Sequence, residues 1–216
     1  MIFADRDEAG RILAEEVARA MPAGPQPTPL VLALPRGGVP VAVPVAARLD
    51  ADLDIVLARK IGAPHRPEFG VGALAEDGPP VFDADTLGHL GLTADDLAAT
   101  VRAERAELAR RAHRYRAGRA APDAAGRTVV LVDDGLATGV TARAALRWLR
   151  GRDPGRLILA VPVCSRPARA ALAGDADTIV CLSAPRSFRA VGEWYTDFHQ
   201  LTDDDVSRAL RGPAHQ

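Results

Sequence analysis

The sequence predicts an α/β domain: a central, mostly parallel sheet with helices on both faces, closed by a small C-terminal segment of different character. Three observations carry this. Runs of Val, Ile and Leu alternate with helical patterns along the chain, and such continuous apolar runs belong to strands buried on both faces. The length, 216 residues, is that of one domain with a small appendage. Aromatics are only 4% of the chain, yet Phe188, Trp194, Tyr195 and Phe198 fall together after the last apolar run.

Asp5 is placed to cap a helix running to about Ala20, with Ile12, Leu13 and Val17 on one face. A proline-rich connector follows over 22–29. LVLAL (30–34) reads as the first strand, then come a glycine turn and an apolar helical stretch to Leu49. LDIVLA (53–58) reads as a second buried strand. Residues 59–80 are rich in Gly, Pro and charge, and are expected to form a long loop or loose hairpin around VGALA. Thr93 with Asp96 makes a capping-box-like start for a long helix to about Arg116. TVVLVD (128–133), a helix from about Gly139 to Arg150, RLILAVPV (156–163), a helix near 166–173 and DTIVCL (177–182) complete the alternation. The expected boundaries are 1–28 for an N-terminal helix and connector, 29–183 for the core, and 184–216 for the C-terminal segment and a terminal helix.

Composition narrows the function. Hydrophobic residues at 48% support a real core. A net charge of −1 and a pI of about 6.5 argue against a general nucleic-acid binder. No apolar run approaches the roughly 18 residues that cross a bilayer, and MIFADRDEAG lacks the basic start and apolar run of a signal peptide. The cytoplasm is the expected location. Cys164 and Cys181 lie in apolar runs and read as small hydrophobes, too few for a disulfide framework. The five histidines show no ligand spacing. Arginines crowd the stretch 102–116, but Glu104 and Glu107 are mixed in, which favours a solvated helix face over an RNA-facing stripe. Of 27 basic residues only Lys60 is a lysine.

TVVLVDDGLATGVTARAAL (128–146) carries the chemistry. An apolar strand ends in Asp133 and Asp134, then turns through Gly135 to Thr141 into a helix. Ligands bind at the carboxyl ends of parallel strands. The turn Ala137, Thr138, Gly139, Val140, Thr141 offers backbone N–H groups, two hydroxyls and a helix N-terminus to one spot, which suits a phosphate. Neither the Gly-Lys-Ser/Thr of the ATP-type loop nor the G-x-G-x-x-G fingerprint is present. Adjacent strand-end acids repel each other and bring no obvious structural benefit. Vicinal sugar hydroxyls or a Mg²⁺ shell would suit them.

VVLVDDGLATGVT resembles the PRPP-binding motif of type I phosphoribosyltransferases. The resemblance implies that family's fold, with a C-terminal hood, formed here by 184–216, over the base. It implies that Asp133 and Asp134 hold the ribose hydroxyls and orient Mg²⁺, and that 137–141 hold the 5-phosphate. ALPRGGVPVA (33–42) is similar to the family's pyrophosphate loop, in which a non-proline peptide is often cis, so Arg36, Gly37 and Gly38 join the PRPP site. LARKIG (57–62) puts Arg59 and Lys60 at the next strand end, where resemblance assigns basic residues to pyrophosphate. Over about residues 28–200, PRGGVPVA (35–42), ARK with GAP and PEFGVGA (58–73), and Phe188 with AVGEWY and DFHQ (190–200) look like a group of small bacterial phosphoribosyltransferases of unassigned substrate. Phe188, Trp194 and Tyr195 fall where the hood would meet a base. Ala137 stands where 6-oxopurine enzymes carry an Asp, which counts against hypoxanthine or guanine as acceptor. A homodimer is usual for the family.

The expected activity is Mg²⁺-dependent transfer of the 5-phosphoribosyl group of PRPP to a nucleobase-like aromatic acceptor, with no nucleic acid or membrane as partner. The segment after Lys60 takes the place of the family's mobile catalytic loop, and Glu68 is the favoured proton acceptor, ahead of Glu76 and Asp77. A PRPP- or nucleotide-sensing regulator of the same fold is the alternative. A metal-dependent phosphohydrolase lacks further clustered ligands.

Overall fold

The computed structural model describes residues 1–64, 66–116 and 120–210. In order, it contains α1 (Arg6–Ala20), β1 (Leu30–Ala33), α2 (Gly38–Leu49), β2 (Asp52–Ile55), β3 (Ala58–Ala63), β4 (Arg66–Ala75), β5 (Val81–Phe82), α3 (Ala84–Leu90) and α4 (Ala98–Arg116). Then come β6 (Thr128–Val132), α5 (Val140–Arg150), β7 (Arg156–Val163), α6 (Arg166–Leu172), β8 (Thr178–Ser183) and α7 (Asp203–Leu210). Five strands form one sheet in the order β2-β1-β6-β7-β8, every pair parallel. The chain leaves β1 toward β2 on one side and later enters β6 on the other. The order therefore reverses between β1 and β6, and an open α/β sheet forms its ligand crevice outside the carboxyl ends of such a strand pair.

Alternate residues of each strand face two separate cores. Val31, Val130 and Ile158 meet Leu13 and Val17 of α1 and Val41 and Val45 of α2. Leu32, Leu131 and Leu159 meet Leu146 and Leu149 of α5 and Leu172 of α6. Asp5 caps α1 by accepting from the Glu8 amide at 2.8 Å. α1 and α2 approach closely because Gly10 has no Cβ; one there would meet Pro44 Cγ at 2.5 Å and the Val41 carbonyl oxygen at 2.6 Å. Among the described residues no helix is long and apolar enough to cross a membrane.

Of the two forms expected for 59–80, a long loop or a loose hairpin, the structure has the hairpin: an antiparallel, hydrogen-bonded β3–β4 pair extended by β5. Its glycines serve packing as well as turning. A Cβ on Gly70 would meet Lys60 Cδ at 2.6 Å, and one on Gly72 would meet the Val81 carbonyl oxygen at 2.6 Å. Composition could not separate these uses of glycine. The second strand is also shorter than expected. It ends at Ile55, and the chain crosses to the hairpin through Val56 and Leu57. The short helix α3 buries none of its residues, so no apolar stripe announced it. Arginines of α4 are spent within the molecule: Arg110 and Arg111 hold Glu107, Arg114 pairs with Asp203 and Asp204, and Arg105 donates to the carbonyls of Asp77 and Gly78. The two guanidiniums hold the Glu107 carboxyl at about 2.

A buried ion pair pins the hairpin to the sheet. Arg116, at the end of α4, donates to both carboxylate oxygens of Glu76 at 2.8 and 3.0 Å and to the Ile55 carbonyl at 2.8 Å. Glu76 also accepts from the Leu57 amide at 2.8 Å. Removing one member of a buried pair strands the other without water. Arg116→Met is expected to lower the unfolding free energy by about 3–5 kcal/mol, measured by urea denaturation. A loss below about 1 kcal/mol would mean that Glu76 finds solvent once released.

Candidate active site

Three strand-end loops meet at the switch point. After β1 the chain passes through a cis Pro35–Arg36 peptide, and Gly38 opens α2 with its amide donating to the Leu34 carbonyl at 3.0 Å. After β6, the Asp133 amide still donates to the Ala160 carbonyl at 3.3 Å, so the acids stand where the ladder stops. The two loops touch through missing side chains. A Cβ on Gly37 would fall 2.0 Å from Asp134 Oδ2, and one on Gly38 would fall 2.6 Å from the Val132 carbonyl oxygen. Only glycine admits that approach.

The acid pair is recessed and held from three sides. Asp133 Oδ1 accepts from the Asp134 amide at 2.9 Å. Arg6 Nε donates to Asp134 Oδ2 at 2.8 Å, and Arg6 Nη1 donates to the His199 carbonyl at 3.1 Å. The Arg6 guanidinium lies 3.8 Å above the Phe198 ring. The Tyr195 hydroxyl donates to the Asp134 carbonyl at 2.5 Å. Burial pushes the Asp133 carboxyl well above the ordinary range, and the neighbouring Asp134 charge pushes it further. Burial also raises Asp134, against the opposing pull of Arg6.

The turn beyond the acids is braced from below. Leu136 bridges to Cys164, and Ser165 Oγ donates to the Ala137 carbonyl at 2.6 Å. Gly139 takes φ +73° and leads into α5, whose first amides have no carbonyl behind them within the helix. Ala137 and Thr138 are exposed and line a cavity of about 820 Å³ together with Lys60, Val140 and Phe188. The cavity wall also carries Arg143, Arg166, Arg186 and Arg189.

A family model described as the phosphoribosyl transferase domain matches residues 7–194. The chain belongs to this family. Two curated Mycobacterium tuberculosis proteins, Rv0571c and MT0597, each carrying a provisional phosphoribosyl transferase name, are 44% identical to it over 205 residues. The match takes in 95% of this chain and 45% of each relative, so the chain spans less than half the length of these relatives. The crystal structure of TT1426 from Thermus thermophilus is 44% identical, covers 97% of this chain and 98% of its own, and superimposes with a TM-score of 0.81. A Neisseria gonorrhoeae protein solved with bound ppGpp shares the fold at 15% identity and a TM-score of 0.52, over 98% of this chain and 94% of its own.

Within this phosphoribosyl transferase domain, the expected site residues do not all converge. Lys60 lines the cavity of about 820 Å³, Arg59 pairs with Glu104 of α4 at 2.6 Å, and both border a second cavity of about 650 Å³ between β3 and α4. Arg36 leans toward Asp203 at 3.7 Å, beside the start of α7. Of the three aromatics expected at a base, Phe188 alone lines the cavity. Trp194 stacks behind it with ring centroids 6.3 Å apart. Tyr195 is 5% exposed and packs on Phe3; its hydroxyl is taken by the Asp134 carbonyl, so it supports the acid loop instead of facing a base. Glu68 falls on β4, and its side chain lies outside the described residues. Glu76 is committed to Arg116. Among the described residues no group of three or more His, Cys, Asp or Glu is clustered for a metal.

Sequence reasoning missed Arg6, which sits in the first turn of α1, 128 residues from its partner, as well as the four cavity arginines. Nothing local marks such long-range pairing, although Arg166 and Arg186, each close after a strand end, could have been found by asking what every strand-end loop carries. Arg6→Ala is expected to cost about 3 kcal/mol by stranding the Asp134 carboxylate. Asp134→Asn added to that background should recover at least about 1 kcal/mol, because an amide needs no counter-charge. A denaturant double-mutant cycle measures this coupling, and strict additivity would show the pair to be inert.

Proposed function

We propose that this phosphoribosyl transferase domain transfers the 5-phosphoribosyl group of PRPP to a nitrogenous aromatic acceptor and releases pyrophosphate. The observation that carries the reading is the meeting, at one switch point, of a cis-peptide glycine loop, an acid pair and a braced phosphate-type turn. In this reading the amides of 137–141 hold the 5-phosphate and the α5 N-terminus adds positive potential. Asp133 and Asp134 take the ribose hydroxyls. The 36–38 loop and Lys60 receive the pyrophosphate, and Arg36 and Arg59 reach it only by leaving Asp203 and Glu104. Segment 184–210 acts as a hood, with Phe188 as the ring against the acceptor. The protein works in the cytoplasm, as a homodimer in keeping with its family.

The donor set fits a Mg²⁺ carried in with its substrate, not one caged by protein. Among the described residues two carboxylates are offered, both disfavoured as anions by burial and opposed by Arg6, and Mg²⁺ commonly binds one or two carboxylates plus phosphate oxygens and water. Asp133 and Asp134 would hold it, and when bound it supplies charge neutralisation for the departing pyrophosphate. The chain's own contribution is positional and electrostatic. Fixed amides and Lys60 face the site where negative charge develops on the leaving group, and the acid pair faces the electron-poor ribose carbon. Glu68 is proposed to take the acceptor's N–H proton.

The decisive experiment is pyrophosphate release from PRPP and Mg²⁺ across a panel of bases and aromatic amines. Release with at least one acceptor is expected; PRPP binding with no release from any acceptor would favour a sensor. Calorimetry should show PRPP binding with Mg²⁺ and at least tenfold weaker binding in excess EDTA. Asp133→Asn with Asp134→Asn should abolish transfer while circular dichroism stays native, and normal turnover would remove the acids from the reaction.

A further inference from the structure

The cavity beside the 137–141 turn carries more positive charge than its neighbours on the protein account for. Lys60, Arg143, Arg166, Arg186 and Arg189 line it, in a chain whose net charge is −1. Among the described residues the one acid on its wall, Asp83, is occupied in capping α3, where it accepts from the Thr86 amide at 2.9 Å. Most arginines elsewhere are held by carboxylates, such as Arg147 by Asp175 and Arg150 by Asp177. Two of the cavity cations are also committed: Arg143 to Asp175 and the Ala171 carbonyl, and Arg166 through Nε to the Ala184 carbonyl. Arg186 and Arg189 differ. Both are exposed, and among the described residues neither has an ion-pair or hydrogen-bond partner. In sequence they stand on either side of Phe188, which lines the same cavity and is backed by Trp194.

An aromatic platform sharing its cavity with two uncommitted guanidiniums suits a flat ring that carries an anion. On the reading above, on which this inference rests, the phosphates of PRPP already have partners in the 137–141 amides, the 36–38 loop and Lys60. The hood arginines remain for the acceptor. We propose that the acceptor is a planar heteroaromatic anion, a ring bearing a carboxylate, bound against Phe188 with its charge held by Arg186 and Arg189.

Matched ring pairs test this by calorimetry: nicotinate against nicotinamide, and orotate against uracil, each on protein with and without saturating ribose 5-phosphate. In at least one pair the carboxylated member is expected to bind tenfold or more tighter. Arg186→Ser with Arg189→Ser should erase that preference while weakening ribose 5-phosphate several-fold less than the carboxylated ring; an equal loss for both ligands would overturn the assignment of these arginines to the acceptor. Arg186→Lys with Arg189→Lys should restore part of it, since charge returns without the fork. Both substituted residues are exposed, so the variants are expected to fold, and circular dichroism checks this. The inference is overturned if neutral members bind as tightly, if no carboxylated ring binds at millimolar concentration, or if the preference survives the double Ser variant. Failure of ribose 5-phosphate to bind, with the carboxylate preference intact, would instead overturn the transferase reading.

Discussion

Two adjacent carboxylates recessed at the end of a central strand are costly to bury, and much of the chain's layout answers that cost. The answer comes from both ends of the molecule. Arg6, in the first turn of α1, supplies the counter-charge to Asp134, and the same guanidinium reaches the His199 carbonyl and lies over Phe198. Tyr195 closes the other side through the Asp134 carbonyl, and Phe3 pairs with Tyr195 as an isolated parallel bridge. The N-terminal helix and the C-terminal segment are therefore tied to each other through the acid pair, and the division of the chain at 28 and 184 hides their dependence.

The same economy of space shapes the loop opposite. Gly37 and Gly38 lie so close to Asp134 and Val132 that any side chain would displace the acids. The 36–38 loop, the acids and Arg6 form one packed unit, and a change in one is transmitted to the others by contact. The hairpin is separate in this respect. It is anchored by Arg116 and Glu76 near β2 and delivers Lys60 to the cavity from the side.

The strands of the central sheet were legible because apolar runs in a two-faced parallel sheet need no partner to be recognised. The acids and the phosphate-type turn were legible for a related reason: their chemistry is contiguous in sequence, Asp133 to Thr141. What escaped was made by distance or by the facing of a side chain. The hairpin was legible only as one of two forms, loop or loose hairpin, because its glycines are there for close approach. Arg59 is taken up by Glu104, a partner 45 residues away that no local pattern announces. Tyr195 read as a base-stacking aromatic because sequence cannot say which way a ring turns. Arg6 could not be paired with Asp134 until α1 was seen lying against α2 and the sheet.

Lys60 is the chain's one lysine, and its side chain is exposed on the cavity wall. Amine-directed chemistry, which scatters over most proteins, has here a single ε-amino target besides the chain's α-amine. With the α-amine blocked beforehand, a fluorophore ester becomes a probe seated in the cavity itself. By the same token, coupling the protein to a sensor chip through amines would plug the very opening whose ligands are to be measured, so capture through another handle is the sound choice.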